Sequence, residues 1–159
     1  MISDNKFAIS LVQTQLLPIE GKTLNPASDA KEIFVDGSGD GYICIIFEIE
    51  NSPIIERHLV KTNNESEWQA LYSAITHIKS YDRYVIYSDS RLIINQFHGK
   101  FKATNPRMRK WKQMCRRYLS SHGLDVKVTW IPRHENPAGK YLEQYFEQKN
   151  GEKGNYIHW

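Results

Sequence analysis

The chain has 159 residues, 40% of them hydrophobic and 25% charged, with a formal net charge of +3 at pH 7. That is enough for one domain with its own core and too little to favour two. No run approaches the roughly 20 apolar residues that a membrane span needs, and no basic and apolar leader opens the chain. Cys44 and Cys115 lie far apart and outside any C-x-x-C pair, and the six histidines are scattered without ligand spacing, which excludes a disulfide framework and a zinc knuckle. A cytoplasmic monomer with reduced thiols is the expectation.

Residues 1–31 read as an N-terminal extension, an apolar patch at Phe7 to Val12 followed by loop composition from Gly21 to Ala30, open to either an extra strand pair or a loosely held arm. Three strands are predicted at 32–36, 41–49 and 54–61, with turns at Gly37 to Asp40 and at Asn51-Ser52-Pro53, the simplest arrangement being an antiparallel meander. In "TNNESEWQALYSAITHIKSY", Trp68, Leu71, Ile75 and Ile78 recur at helical spacing and mark one apolar face. A strand follows from Arg83 to Ser88, then a short helix from Ser90 to Phe97, a basic helix from Pro106 to about Ser121, a strand from Val126 to Ile131 and a last helix from Glu135 to about Lys149. Residues 150–159 are left as a tail and 32–149 as the main domain. Strands first and alternating βα units later imply an α/β mixed sheet, antiparallel at one edge and parallel at the other.

From Lys100 to Arg117 the chain carries eight basic residues and no Asp or Glu, while the other 141 residues hold 13 basic and 18 acidic side chains. A solvated helix face is one explanation of such a run. Phe101, Trp111 and Tyr118 interleave with the cations, and that mixture suits a polyanion with bases to stack on, so nucleic acid is the other. Lys100, Lys102, Arg107, Arg109, Lys110, Trp111 and Lys112 are the candidate contacts.

Three carboxylates stand in places where either a structural or a chemical role is open. Asp36, in "VDGSGDG", opens a turn. Glu67 lies three residues after Asn64, the spacing of a capping box. Asp89, in "YVIYSDSR", ends a strand and is placed to cap the next helix. Yet both aspartates end apolar strands, and Glu67 stands in the first turn of the helix between the two strand systems. In a right-handed βαβ arrangement these positions converge. Three carboxylates without a matching cation invite a divalent metal, and oxygen-only ligands suit Mg²⁺ or Mn²⁺.

Asp36-Gly37-Ser38 after the first strand, "TNNESEWQA" opening the first helix, "YSDSR" after the fourth strand and "VTWIPRHEN" before the last helix occur in an order and spacing that resemble ribonuclease H type 1, over about Lys31 to Gln148. The resemblance implies a mixed five-stranded sheet flanked by helices and two-metal-ion hydrolysis of the RNA strand of an RNA/DNA hybrid. It implies that Asp36 bridges the metals, that Glu67 holds the one near the leaving group and that Asp89 holds the one near the attacking water. It also implies hybrid contacts at Gly37, Ser38, Asn63 and Asn64, and a basic protrusion at Lys100 to Arg117. By the same resemblance His134 would correspond to a mobile histidine that aids turnover, the alternative being a solvent-exposed loop histidine.

The family's fourth carboxylate falls, counting from Glu135-Asn136, on Lys140. Either Glu143 or Glu135 then supplies the missing oxygen, or the Lys140 ammonium stands in for part of the second metal's charge, or the protein mainly binds nucleic acid. A junction resolvase or exonuclease of the same superfold is a further alternative.

Overall fold

The run Ile33-Phe34-Val35 is buried throughout, because its strand, β1 (Lys31–Gly37), lies at the centre of a sheet covered on both faces. The computed structural model that shows this describes residues 29–60 and 62–157, so the expectation for residues 1–28 lies outside the described residues. β1 pairs antiparallel with β2 (Tyr42–Phe47), which pairs antiparallel with β3 (Ser52–Arg57). On its other side β1 runs parallel to β4 (Tyr84–Ser88), and β4 runs parallel to β5 (Val126–Trp130). The sheet order is β3-β2-β1-β4-β5, the mixed five-stranded α/β sheet that the strand pattern implies.

Alternation along β1 divides its side chains between two cores. Ile33 and Val35 face the larger one with Trp68, Leu71 and Ile75 of helix α1 (Asn63–His77), Ile93 of α2 (Arg91–Phe97), and Met108 and Cys115 of α3 (Pro106–His122). Phe34 faces the smaller core with Cys44, Ala138 and Leu142, under α4 (Pro137–Ile157). The apolar face of α1 is the one its periodicity marks, since Trp68, Leu71 and Ile75 are fully buried. Inside that core the Trp68 indole donates to Gln96 Oε1 at 3.1 Å, which ties α1 to α2 and leaves the indole N–H satisfied. Both cysteines are free and buried. Among the described residues no helix is long and apolar enough to cross a membrane.

Some boundaries move. The third strand starts at Ser52, with Pro53 inside it, and ends at Arg57 rather than near 61; as an edge strand it tolerates the missing N–H of proline. The turn before it comes earlier, at residues 48–51, with Asn51 in the left-handed region at φ 46°. The last helix is preceded by a 3-10 turn (Arg133–Glu135), starts at Pro137 and continues past Lys149 to Ile157.

Candidate active site

Asp36 is the penultimate residue of β1, pairs with Cys44 of β2 across the ladder and lies one residue past the last β1–β4 pair, Val35 with Ser88. The next residue has to be small. A Cβ on Gly37 would stand 2.5 Å from the Ser66 carbonyl carbon and 2.7 Å from the Glu67 nitrogen, both backbone. Only glycine lets the end of β1 lie directly against the first turns of α1. That contact brings Gly37 N–H to Glu67 Oε1 at 2.5 Å and sets Glu67 beside Asp36. Asp89 follows β4, the parallel neighbour of β1, and completes the group. Asp36, Glu67 and Asp89 each offer a carboxylate oxygen, and these oxygens lie within 4.8 Å of one another.

The local structural roles open to Glu67 and Asp89 are filled by other residues. Thr62 is the N-cap of α1, its hydroxyl accepting from Glu65 N at 3.1 Å, so the capping frame is Thr62 to Glu65 and not Asn64 to Glu67. Ser90, not Asp89, caps α2 through the Ile93 N–H. Asp89 is instead held from outside, its backbone carbonyl by the Trp130 indole at 3.1 Å.

Clustering three carboxylates costs energy in this place. Burial first, and then the charge of Asp89, push the Asp36 carboxyl up to about 6. Burial, with Asp36 and Asp89 adding to it, holds Glu67 well above the usual glutamate range. Buried carboxylates crowded in this way are what a hard divalent cation with oxygen ligands stabilises. The donor set fits such an ion.

The facing wall comes from the 3-10 turn and α4. Asn136 is fully buried; its amide donates to Val35 O at 3.0 Å and to Asp89 Oδ2 at 2.8 Å, while its Oδ1 accepts from Ala138 N at the start of α4. Beyond it the helix turns Gly139 toward the carboxylates. A Cβ there would lie 3.4 Å from Asp36 Oδ2 and 3.5 Å from Asp89 Oδ2. Lys140 is exposed and does not line the cleft, so the ammonium expected near the carboxylates is turned away from them. His134 is exposed too, its side chain at 83%, and Glu135 lies beside it, Oε2 3.8 Å from His134 Nε2. The cation that reaches the site is Arg133, with Nη1 3.8 Å from Asp36 Oδ1 and 3.5 Å from Asp89 Oδ1, and Nη2 3.2 Å from Glu143 Oε1. Partial burial opposes its charge, but Asp36 and Asp89 outweigh it and hold the guanidinium above the ordinary arginine value. Together these residues enclose a cleft of about 550 Å³ that Gly37, Ser38 and Asn63 also line. Asn64 is half-buried and is not one of the residues that line it. The Ser38 hydroxyl is buried at this edge with no hydrogen-bond partner. Sequence reasoning passed over Arg133 and Gly139; the arginine's one signal was its place directly before His134.

The RNase H family profile matches residues 28–141. The chain belongs to the RNase H family. RNase H1 from the halophilic archaeon Halobacterium salinarum NRC-1 has a similar structure, with a TM-score of 0.61 and 22% identity over 71% of this chain and 93% of that one. LC11-RNase H1, solved in complex with an RNA/DNA hybrid, aligns with a TM-score of 0.58 and 20% identity over 70% of this chain and 92% of its own. At these identities the likeness speaks for the fold. YpeP, an uncharacterized protein of Bacillus subtilis (strain 168), is 32% identical over 100 residues, 57% of this chain and 44% of YpeP. The chain therefore spans less than half the length of that curated relative.

On this RNase H fold the basic segment is split between two faces. The loop at 99–104 and one side of α3 line a groove of about 690 Å³ with Phe101, Lys102, Arg109, Lys112, Arg116 and Arg117. Arg116 is committed inward: its guanidinium donates to Phe97 O and lies over the Phe97 ring, 4.8 Å from the centroid. The other side carries Arg107, paired with Glu65 at 3.1 Å, together with Lys110 and Trp111. Trp111 is half-buried and packs on Tyr72 with ring centroids 5.9 Å apart, so its ring serves the core as well as the surface. Lys100 is exposed.

Proposed function

We propose that this RNase H-family chain is a divalent-metal-dependent endonuclease that hydrolyses the RNA strand of RNA/DNA hybrids. One observation carries the reading: Asp36, Glu67 and Asp89 meet in a cleft although the turns and caps that could have explained Glu67 and Asp89 belong to neighbouring residues. These three carboxylates would hold Mg²⁺ or Mn²⁺. An ion bound there supplies charge that stabilises the phosphodiester oxygens during hydrolysis.

The rest of the cleft suits a nucleic-acid strand. The unpartnered Ser38 hydroxyl, Gly37 and Asn63 offer small or amide groups to 2′-hydroxyls and phosphates in a shallow minor groove, with Asn64 next in the chain. Lys102, Arg109 and Lys112 provide a phosphate track beside exposed Phe101. That LC11-RNase H1 is solved with an RNA/DNA hybrid supports the substrate class.

A second reading, a protein that binds hybrids without cutting them, is favoured by Gly139 alone, since the position of α4 nearest the two aspartates bears no carboxylate. The two readings part in one experiment. A labelled RNA/DNA hybrid, single-stranded RNA and duplex DNA are incubated with Mg²⁺, Mn²⁺ or chelator, using the native chain and Asp36→Asn. Metal-dependent cutting of the hybrid's RNA strand, lost in the variant, is expected. Hybrid binding with no cutting under either metal would overturn the enzyme and leave the binder; cutting of duplex DNA in preference would point to another nuclease of the superfold.

A further inference from the structure

The cleft has two unequal walls. On the side of α1 and β4 the carboxylates converge; on the side of α4 the position nearest to them carries no side chain, and the one carboxylate is held by Arg133. Gly139 occupies the position that faces Asp36 Oδ2 and Asp89 Oδ2. Glu143, one turn further, is the one carboxylate of α4 that lines the cleft, and its Oε1 is taken by Arg133 Nη2 at 3.2 Å. The other lobes of the two aspartates, both Oδ1 atoms, face Arg133 Nη1 at 3.8 and 3.5 Å, and Asp89 Oδ2 accepts from Asn136 at 2.8 Å. A second ion beside a first one would have to displace the guanidinium, compete with the Asn136 amide and find a further oxygen on a wall that ends in a glycine.

We infer that Arg133, braced by Glu143, takes the place of a second metal ion: the site holds one divalent ion on Asp36, Glu67 and Asp89, and the guanidinium supplies the second positive charge at the scissile phosphate. The inference rests on the endonuclease reading above. A planar guanidinium suits that role, since it stays charged at any working pH and presents paired N–H groups matched to phosphate oxygens. Arg133 is exposed enough, at 60% of its side chain, to meet a bound strand from this position. Its distances to the aspartates, beyond ordinary hydrogen-bond length, leave both carboxylates available to the ion.

The decisive measurement is electron paramagnetic resonance of the metal-free protein mixed with Mn²⁺ and an unmodified RNA/DNA hybrid and frozen before turnover. Two Mn²⁺ ions that share a carboxylate give an exchange-coupled spectrum, whereas a lone ion does not. The native chain is expected to show one bound, uncoupled Mn²⁺, and the double variant Arg133→Ala, Gly139→Asp a coupled pair. Arg133→Ala alone, at an exposed position, keeps the fold and is expected to bind the single Mn²⁺ several-fold more tightly, because a neighbouring positive charge has been removed. A coupled pair in the native chain, or weaker Mn²⁺ binding by Arg133→Ala, would overturn the inference while leaving the endonuclease reading in place. If Asp36→Asn holds Mn²⁺ as well as the native chain does, the ion is not at this site and the endonuclease reading fails first.

Discussion

Removing the charge of Asp36 should make the metal-free protein more stable while abolishing its activity. In the fold the carboxyl is pushed from 3.8 up to about 6, by burial first and by Asp89 second. A group whose pKa is raised on folding stabilises the fold only while protonated; that contribution is complete below about 4 and is lost as the pH rises through about 6. At pH 7 the ionised carboxylate therefore costs the fold about 3 kcal/mol, taking roughly 1.4 kcal/mol for each of some two pK units. Asp36→Asn removes this cost and takes a like-charged neighbour away from Glu67. Thermal unfolding with chelator at pH 7 should show the variant melting higher by roughly 6 to 12 °C, on the usual scaling for a chain of this size. The gain should shrink steadily toward pH 4, because the native carboxyl then takes up its own proton. Saturating Mg²⁺ should raise the native melting temperature through mass action and move the variant much less. A variant no more stable than the native chain at pH 7, or one whose advantage is independent of pH, would refute this account of the site's electrostatics.

Three further outcomes follow from particular contacts. Gly37→Ala forces a Cβ into the backbone of Ser66 and Glu67 and should lower the unfolding free energy by about 3 kcal/mol or more in urea titrations; a loss under about 0.5 kcal/mol would mean that β1 and α1 are less tightly apposed than described. Asn136→Ala removes the partner of Val35 O, Asp89 Oδ2 and Ala138 N at a fully buried position, and about 2 to 4 kcal/mol of stability should go with it, read by the same titration. Replacing Lys102, Arg109 and Lys112 together by alanine should flatten the dependence of hybrid affinity on salt by about two to three units of log–log slope in anisotropy titrations, whereas Arg107→Ala, whose guanidinium is already paired with Glu65, should change it by less than about one.

Much of the fold can be read from periodicity. Ile33 to Val35 and the repeat through Trp68, Leu71 and Ile75 announce a doubly covered strand and the helix beside it, and both are buried as those patterns require. The convergence of Asp36, Glu67 and Asp89 was equally legible, because strand ends and a helix start have fixed relations in βαβ units. The helix caps were not. "TNNESE" contains two capping frames, Thr62 to Glu65 and Asn64 to Glu67, and the fold selects the first, where the Thr62 hydroxyl meets Glu65 N and Arg107 is at hand for the Glu65 carboxylate. The far wall was harder still. Counting four residues on from Asn136 reaches Lys140, but a helix turns about 100° with each residue, and once α4 begins at Pro137 it is Gly139 that faces the aspartates. Arg133 lies in a short 3-10 turn whose direction no sequence pattern fixes, so its reach across the cleft is visible only in three dimensions.

Asn136 joins three pieces of chain that are distant in sequence: the end of β1, the carboxylate after β4 and the first turn of α4. The helix carrying Gly139 and Glu143 is thus pinned to the same amide that orients Asp89. Any shift of the outer helix is therefore felt at the aspartate, so the position of the facing wall and the alignment of the acidic group are set together.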